Sequence, residues 1–392
     1  MNNRKSIAGV GTEKPMSAKA DNRSNRIEPL RPIQVNTELP DNRCQNVLRA
    51  IHFDTPEYIP MIFHINEACW FSYAPDSLKE LMASHRFLFP HFNGDIPGRT
   101  ELDYQVLERP GKPYVDGWGC VWQTSMEGIV GAVTKHPLND WKDLEQFNAP
   151  DPETDSGKGP INWQDIDQAL KKARASGQLT MGGLRHGHMF QTLTDIRGYE
   201  NLLFDMVDQH PKLCQLIELV ENFNMAIVRK YVELGVQWMS YPEDLGMQTG
   251  PLISPDMFRR FIKPSYERLM KPARDANCIV HMHSDGCIHA LIDDLMDGGI
   301  HAINLQDLVN GIDWIKDTLA GKVCIDLDID RQSITRFGTP EQIDALIQEE
   351  ITKLGSKAGG LMMIYGLYPG VPLENAKALM DAMERYAFHY SS

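Results

Sequence analysis

The 392-residue chain contains no apolar run approaching the roughly 20 residues that a membrane-spanning helix needs. Its first residues, Met1-Asn2-Asn3-Arg4-Lys5, lead into polar sequence and not into the apolar segment of a secretory signal. Basic charge is in deficit: 39 Lys and Arg against 53 Asp and Glu leave a net charge of −14. A nonspecific hold on nucleic acid or anionic lipid depends on basic charge, so neither is an expected partner. The seven cysteines are odd in number and include no Cys-x-x-Cys pair, which argues for a reducing compartment and against a disulfide framework. A cytoplasmic protein that handles a small molecule or another protein is expected. Two signatures are missing as well. No Gly-x-Gly-x-x-Gly follows a strand pattern, so a dinucleotide-binding fold lacks its fingerprint. No His-Glu-x-x-His or His-x-Cys occurs, so spacing alone points to no metal site.

What is present is organised around residues 277–299. There the apolar run Cys278-Ile279-Val280 passes into His281-Met282-His283-Ser284-Asp285-Gly286 and then into an amphipathic helical pattern. Successive side chains of a strand point to opposite faces, so His281, His283 and, if the chain stays extended, Asp285 share one face. Two imidazoles and a carboxylate would then converge where the strand ends, the end that carries the chemistry in α/β barrels. The plainer alternative makes His281 a core histidine bonded to backbone and Asp285 a helix cap.

Residues 1–40 are polar, show no helical or strand period, and read as a disordered arm. Residues 42–51 form an expected helix with Val47, Leu48 and Ile51 on one side. The first strand is expected over 58–64, with His64 and Glu67 at its mouth, and Phe87-Leu88-Phe89 is a candidate second strand. Residues 100–150, with Gly111-Lys112-Pro113 and Asp116-Gly117-Trp118-Gly119, break the rhythm and suggest turns and short antiparallel strands inserted over the mouth. After residue 160 strands are expected over 179–184, 237–241, 278–283, 301–305, 323–327 and 360–365, alternating with helices. Ser254-Pro255 reads as a helix cap with proline at the first helical position, and Thr339-Pro340-Glu341-Gln342 as a capping box. The expected fold is a (β/α)8 TIM barrel of the α/β class over residues 41–392, preceded by the arm.

The strand ends collect His64, Glu67, Arg185, His186, His188, Glu243, Asp244, His283, Asp285, Asp307, Asp326, Asp328 and Tyr365. Acids and imidazoles facing one cavity either hold a divalent metal, for which zinc is the best match, or form a proton-transfer set. Cys287 at a helix start is a candidate thiolate ligand or a small buried residue. Cys324 points either into the barrel or toward the helices.

From about Arg43 onward the chain resembles the uroporphyrinogen decarboxylase superfamily. The matching stretches are the first strand with Pro60, Pro242-Glu243-Asp244-Leu245-Gly246 through Ser254-Pro255 and Lys263-Pro264, His283-Ser284-Asp285-Gly286, Asp330-Arg331-Gln332 with Gly338-Thr339-Pro340-Glu341, and Gly370-Val371-Pro372-Leu373-Glu374-Asn375. The superfamily contains cofactor-free tetrapyrrole decarboxylases and barrel methyltransferases that exchange methyl groups with corrinoid proteins. Decarboxylases of this kind carry an arginine pair just after the first strand, where this chain reads His64-Ile65-Asn66-Glu67-Ala68-Cys69-Trp70. An acid facing a polycarboxylate at about 4 Å costs on the order of several kcal/mol at an intermediate dielectric. Tyr365 also precedes Gly366 where the family's His-Gly is expected.

The thiol-methylating branch expects His-x-Cys with a distant second Cys for zinc, and this chain offers His283-Ser284-Asp285 and Tyr365. The resemblance therefore implies a methyltransferase that moves a methyl group from a methoxylated or methylated small molecule to a corrinoid carried by a partner protein. The implied metal ligands are His283, Glu243 and Asp285, with zinc as the metal. Asp244, Tyr365 and Asp285 are the implied catalytic residues, and His64, Glu67, Arg185, His186 and Gln248 the substrate-binding ones. A homodimer is a candidate assembly. A cofactor-free decarboxylase with a smaller substrate and a binding barrel without chemistry are the alternatives.

Overall fold

The computed structural model describes residues 43–94 and 105–391. Among the described residues ten strands run in chain order: β1 Met61–Ile65, β2 Tyr114–Val115, β3 Val121–Gln123, β4 Ala132–Lys135, β5 Met181–Gly183, β6 Trp238–Pro242, β7 Ile279–Ser284, β8 Ala302–Gln306, β9 Cys324–Asp328 and β10 Leu361–Leu367. Seven of them form one parallel sheet in the order β1-β10-β9-β8-β7-β6-β5. The helices between them cover its outer face, so most of its strands are apolar runs buried on both sides. The arm expected over residues 1–40 lies outside the described residues.

The seven clear strands of the sequence pattern are these seven. The doubtful one is not a strand: Phe87, Leu88 and Phe89 lie in a turn after the helix Pro75–Ser84. The amides of Phe87 and Leu88 donate to Glu384 Oε1 at 3.0 and 3.2 Å, and the Phe87 carbonyl accepts from Arg43 Nη1 at 3.0 Å. Backbone groups a ladder would need are committed to side chains, so among the described residues the sheet is a curved half-barrel, open between β1 and β5. Ile62 on β1 and Met181 on β5 show the gap, being 57% and 52% exposed on edge strands.

The helix Arg43–His52 closes the N-terminal end of the barrel. Its Leu48, Ala50 and Ile51 pack with Trp238, Ile279, Ala302, Cys324 and Met362, the first inward residues of five strands. Cys324 is thus inward. Strands β2, β3 and β4 make a separate antiparallel sheet at the opposite end. Its leading turn is knitted by Asp116, which accepts from the amides of Trp118 and Cys120 and from Trp122 Nε1 at 3.0, 2.8 and 2.7 Å. Both predicted caps form: Ser254 accepts from the Met257 amide, and Thr339 and Gln342 complete a capping box. Among the described residues no helix is long and apolar enough to cross a membrane.

Candidate functional site

The loops after β6 and β7 are bound to each other through glycine. Gly286 has φ +82°, and a Cβ placed on it would stand 2.1 Å from the carbonyl carbon of Gly246. The amide of Gly246 donates to the Asp285 carbonyl at 3.1 Å. Only glycine permits this approach, and it brings Asp244 and Asp285 to the rim beside His283.

His283 stands one residue before the end of β7, in register with Pro242 and Asn304. Asn304 donates from Nδ2 to the Asp326 carbonyl at 2.6 Å, so its Oδ1 is the atom that faces His283 Nδ1. That oxygen only accepts, so Nδ1 carries the hydrogen and Nε2 is turned toward the carboxylates. His283 Nε2 lies 3.4 Å from Asp244 Oδ1 and 3.9 Å from Asp285 Oδ1. His186, from the loop after β5, brings Nε2 to 3.2 Å from the same Asp244 oxygen. Asp244 is held further by Gln191 Nε2 on Oδ2 at 3.1 Å and by the Asp285 amide on Oδ1 at 3.3 Å. Burial acts to raise the Asp244 carboxyl, but hydrogen bonds from His186 and His283 outweigh it and hold the group well below the usual range. For His283 burial acts downward, and the Asp244 hydrogen bond with the Asp285 charge lifts it to about 9.

His186, Asp244 and His283 present ligand atoms that all lie within 4.8 Å of one another. Two imidazole nitrogens and a carboxylate oxygen, with His186 exposed, suit a zinc ion that keeps a position open. The acid in this set is Asp244 and not Glu243. Glu243 is fully buried and accepts from the amides of Met189, Phe190 and Gln191 at 3.0, 3.0 and 2.8 Å and from Tyr266 Oη at 2.6 Å. It caps the helix Phe190–Arg197, both of its oxygens engaged by these donors, and is not among the clustered ligand atoms. Asp285 stands beside the set, tied to Arg331 Nη2 at 3.4 Å. Arg331 also reaches Asp328 at 2.5 Å.

The remaining expected residues divide by strand face. Tyr365 is buried on the outer face, its ring 5.2 Å from Phe63 and its hydroxyl donating to Thr335 Oγ1 at 3.1 Å, so it does not enter the mouth. Burial raises its hydroxyl to about 12. Gln248 is exposed at the tip of a loop closed by the Gly246–Pro251 bridge. His64 is exposed in register with Gly366, and Glu67 lies just beyond β1. None of these four lines the rim cavity. His188 is buried behind Glu243, its Nδ1 on the Pro242 carbonyl at 3.0 Å. Cys287 is buried, its amide on the Met247 carbonyl.

The cavity at the rim has a volume of about 680 Å3 and is walled by Leu107, Trp122 and Phe190, with Arg185, His186, Asp244 and Asp285 among its polar lining. Lys158 and Asp195, charged groups that the sequence pattern did not single out, face it as well. Burial pushes the Asp195 carboxyl up to about 7, against the pull of Lys158. Neither carried a readable signal, since both reach the cavity from segments without a strand period. Asn304 did: it is a polar residue set between Ile303 and Leu305 in its strand, on the face that His283 shares.

The comparisons with known proteins agree with this architecture. A solved structure of a methyltransferase from Methanosarcina mazei superposes with a TM-score of 0.60 at 20% identity, covering 88% of this chain and 98% of the other, which shows the fold. The methylcobamide:CoM methyltransferase MtaA of Methanosarcina barkeri is 26% identical over 180 residues, 44% of this chain and 48% of that protein. The chain thus spans about half the length of this curated relative. A uroporphyrinogen decarboxylase from Christiangramia forsetii is 20% identical over 277 residues, 67% of this chain and 75% of the other. Residues 119–386, well over half of the sequence and including every strand from β3 to β10, match the uroporphyrinogen decarboxylase (URO-D) family, and the chain belongs to it.

Proposed function

We propose that this protein is a methyltransferase that takes a methyl group from a methoxylated or methylated small molecule and passes it to a corrinoid held by a partner protein. The observation that carries this reading is the convergence of His186, Asp244 and His283 at the mouth of a cavity sized for a small substrate. The MtaA relative supports the class of reaction. The end of β1 and the residues after it, His64-Ile65-Asn66-Glu67, offer acid where a tetrapyrrole polycarboxylate would need guanidinium.

Zinc held by His186, Asp244 and His283 would supply Lewis acidity to the substrate heteroatom that bears the methyl group. The chain's own residues do the rest. Asn304 fixes the tautomer of His283, while Gln191 and the Asp285 amide fix the rotamer of Asp244. Arg331 holds Asp285 at the rim, and Leu107, Trp122 and Phe190 exclude water from the reacting end. Oxygen replaces the sulfur donors of the thiol-methylating branch, a harder donor set that suits an ether or amine donor.

Protein purified without chelators is expected to carry close to one zinc per chain, and His283→Ala to lose that metal together with methyl transfer to a corrinoid. A variant that keeps both refutes the reading. Cofactor-free decarboxylation is the second reading, favoured by the longer match to the decarboxylase relative. Release of CO2 that survives exhaustive chelation would select it.

A further inference from the structure

Charged side chains that line a protein cavity are normally paired, because taking a charge out of water without a partner is costly. The rim cavity holds two cations that break this rule. Lys158 lies in the turn Gly157-Lys158-Gly159, where both glycines have positive φ and a Cβ on Gly157 would meet Trp118 Nε1 at 2.8 Å. The turn sets Lys158 Nζ over the Trp122 ring, 4.7 Å from its centroid, and on the His186 carbonyl at 3.1 Å. Arg185, next to His186 in sequence, spends one donor on Gln105 Oε1 at 2.7 Å. Among the described residues no carboxylate lies within 4.0 Å of either cation, although both are partly buried. A guanidinium and an ammonium therefore face one cavity beside the proposed metal ligands, with donors to spare.

We infer that Lys158 and Arg185 form the anion-binding wall of the substrate site, and that the substrate is a small methylated or methoxylated carboxylic acid. The inference deepens the proposed methyl transfer and rests on it for the identity of the other end of the molecule. A single negative charge fits better than a phosphate ester, because Asp195, Asp244 and Asp285 face the same space and would repel a dianion. Trp122, under the ammonium, and the apolar Leu107 and Val133 leave room for a flat or aliphatic body between the two ends. An ammonium and a guanidinium on one wall also select against a neutral amide of the same shape, which leaves both cations uncompensated.

The test is equilibrium binding, read by Trp fluorescence with Trp122→Phe as the signal control, on two isosteric pairs: 4-methoxybenzoate with 4-methoxybenzamide, and methoxyacetate with methoxyacetamide. The acid is expected to bind at least about tenfold tighter than the amide in one pair or both. Lys158→Met and Arg185→Gln each remove most of that ratio, and Lys158→Arg retains it. Equal affinities in both pairs, or a ratio that survives in both neutralised variants, overturn the inference. Phenyl phosphate binding more tightly than either acid overturns the carboxylate assignment in favour of a phosphate ester. Binding is read without a corrinoid, so an acid preference that persists while no methyl transfer occurs in a separate assay supplied with a corrinoid protein would sink the proposed activity and leave this wall intact.

Discussion

His281 and His283 stand two residues apart on one face of β7, yet they occupy different chemical worlds. His281 is sealed between Ser240 Oγ at 3.2 Å and Asp326 Oδ2 at 2.9 Å, beside a largely apolar cavity of about 530 Å3 above the helix that closes the barrel. Both hydrogen-bond partners come from strands of the sheet, Ser240 from β6 and Asp326 from β9, and the two cavities share no lining residue. His283 takes one partner from a strand, Asn304, and its acids from loops. The strand supplies the imidazole in both layers, and the loops decide which one meets an open set of donors. That is the division of labour expected of a barrel, where the scaffold fixes positions and the C-terminal loops carry chemistry.

The contrast breaks most completely at the loop contact. Gly286→Ala would place a methyl 2.1 Å from the backbone of Gly246 in a conformation that L-residues avoid. The expected outcome is a loss of about 3 kcal/mol or more and loss of zinc, read by denaturant unfolding and metal analysis. The His281 layer, whose hydrogen bonds come from strands and which does not touch these loops, should keep its packing. Native zinc content in this variant would show that the loops find their places without the contact.

Adjacent acids sharpen the comparison next. Glu243→Gln removes the charge that answers three helix amides and the Tyr266 hydroxyl, at an expected cost of about 2–3 kcal/mol. Zinc stoichiometry should survive it. Asp244→Asn should do the reverse, losing metal with little loss of stability. Metal loss in both variants would return Glu243 to the ligand set.

These two residues also mark where the sequence stopped being readable. Alternation along β7 was sufficient to put His283 at the rim, because the strand stays regular to Ser284. β6 ends at Pro242, and from there period two no longer tells which of Glu243 and Asp244 turns inward. The seven strands were legible as apolar runs of the right length. The eighth was not refutable locally, since Phe87-Leu88-Phe89 has strong strand propensity and loses its amides to Glu384, nearly three hundred residues away. Tyr365 failed for a third reason: strand parity placed it beside Phe63 on the helix-facing side, whatever its position near the strand end.

A smaller effect separates the layers through Asn304. Asn304→Leu leaves His283 free to take either tautomer and should weaken zinc by about 10–100-fold, the range found for outer-shell partners of ligating histidines. Asp326→Asn, which disturbs the hydrogen bond to His281 and keeps the backbone carbonyl that anchors Asn304, should leave zinc affinity unchanged. Equal losses in the two variants, by competition with a chelating dye, would join the layers into one site.

The smallest expected effect concerns Asp195 and the pH dependence of stability. Its folded carboxyl sits at about 7, above the ordinary 3.8, because it is buried. Between those values the folded protein binds more protons than the unfolded chain, so this group makes stability fall as pH rises from about 4 to 7, and the deficit persists above 7. Discounted for its open side, the deficit is about 1–2 kcal/mol. Asp195→Asn removes the ionisation and should raise Tm relative to the native protein at pH 8 while matching it near pH 4. An Asn variant that is less stable at pH 8 would mean that the carboxylate, in its charged form, is already compensated by Lys158. In that case the ammonium is not free to meet a substrate anion, and the rim cavity would be as fully paired inside the protein as the layer around His281.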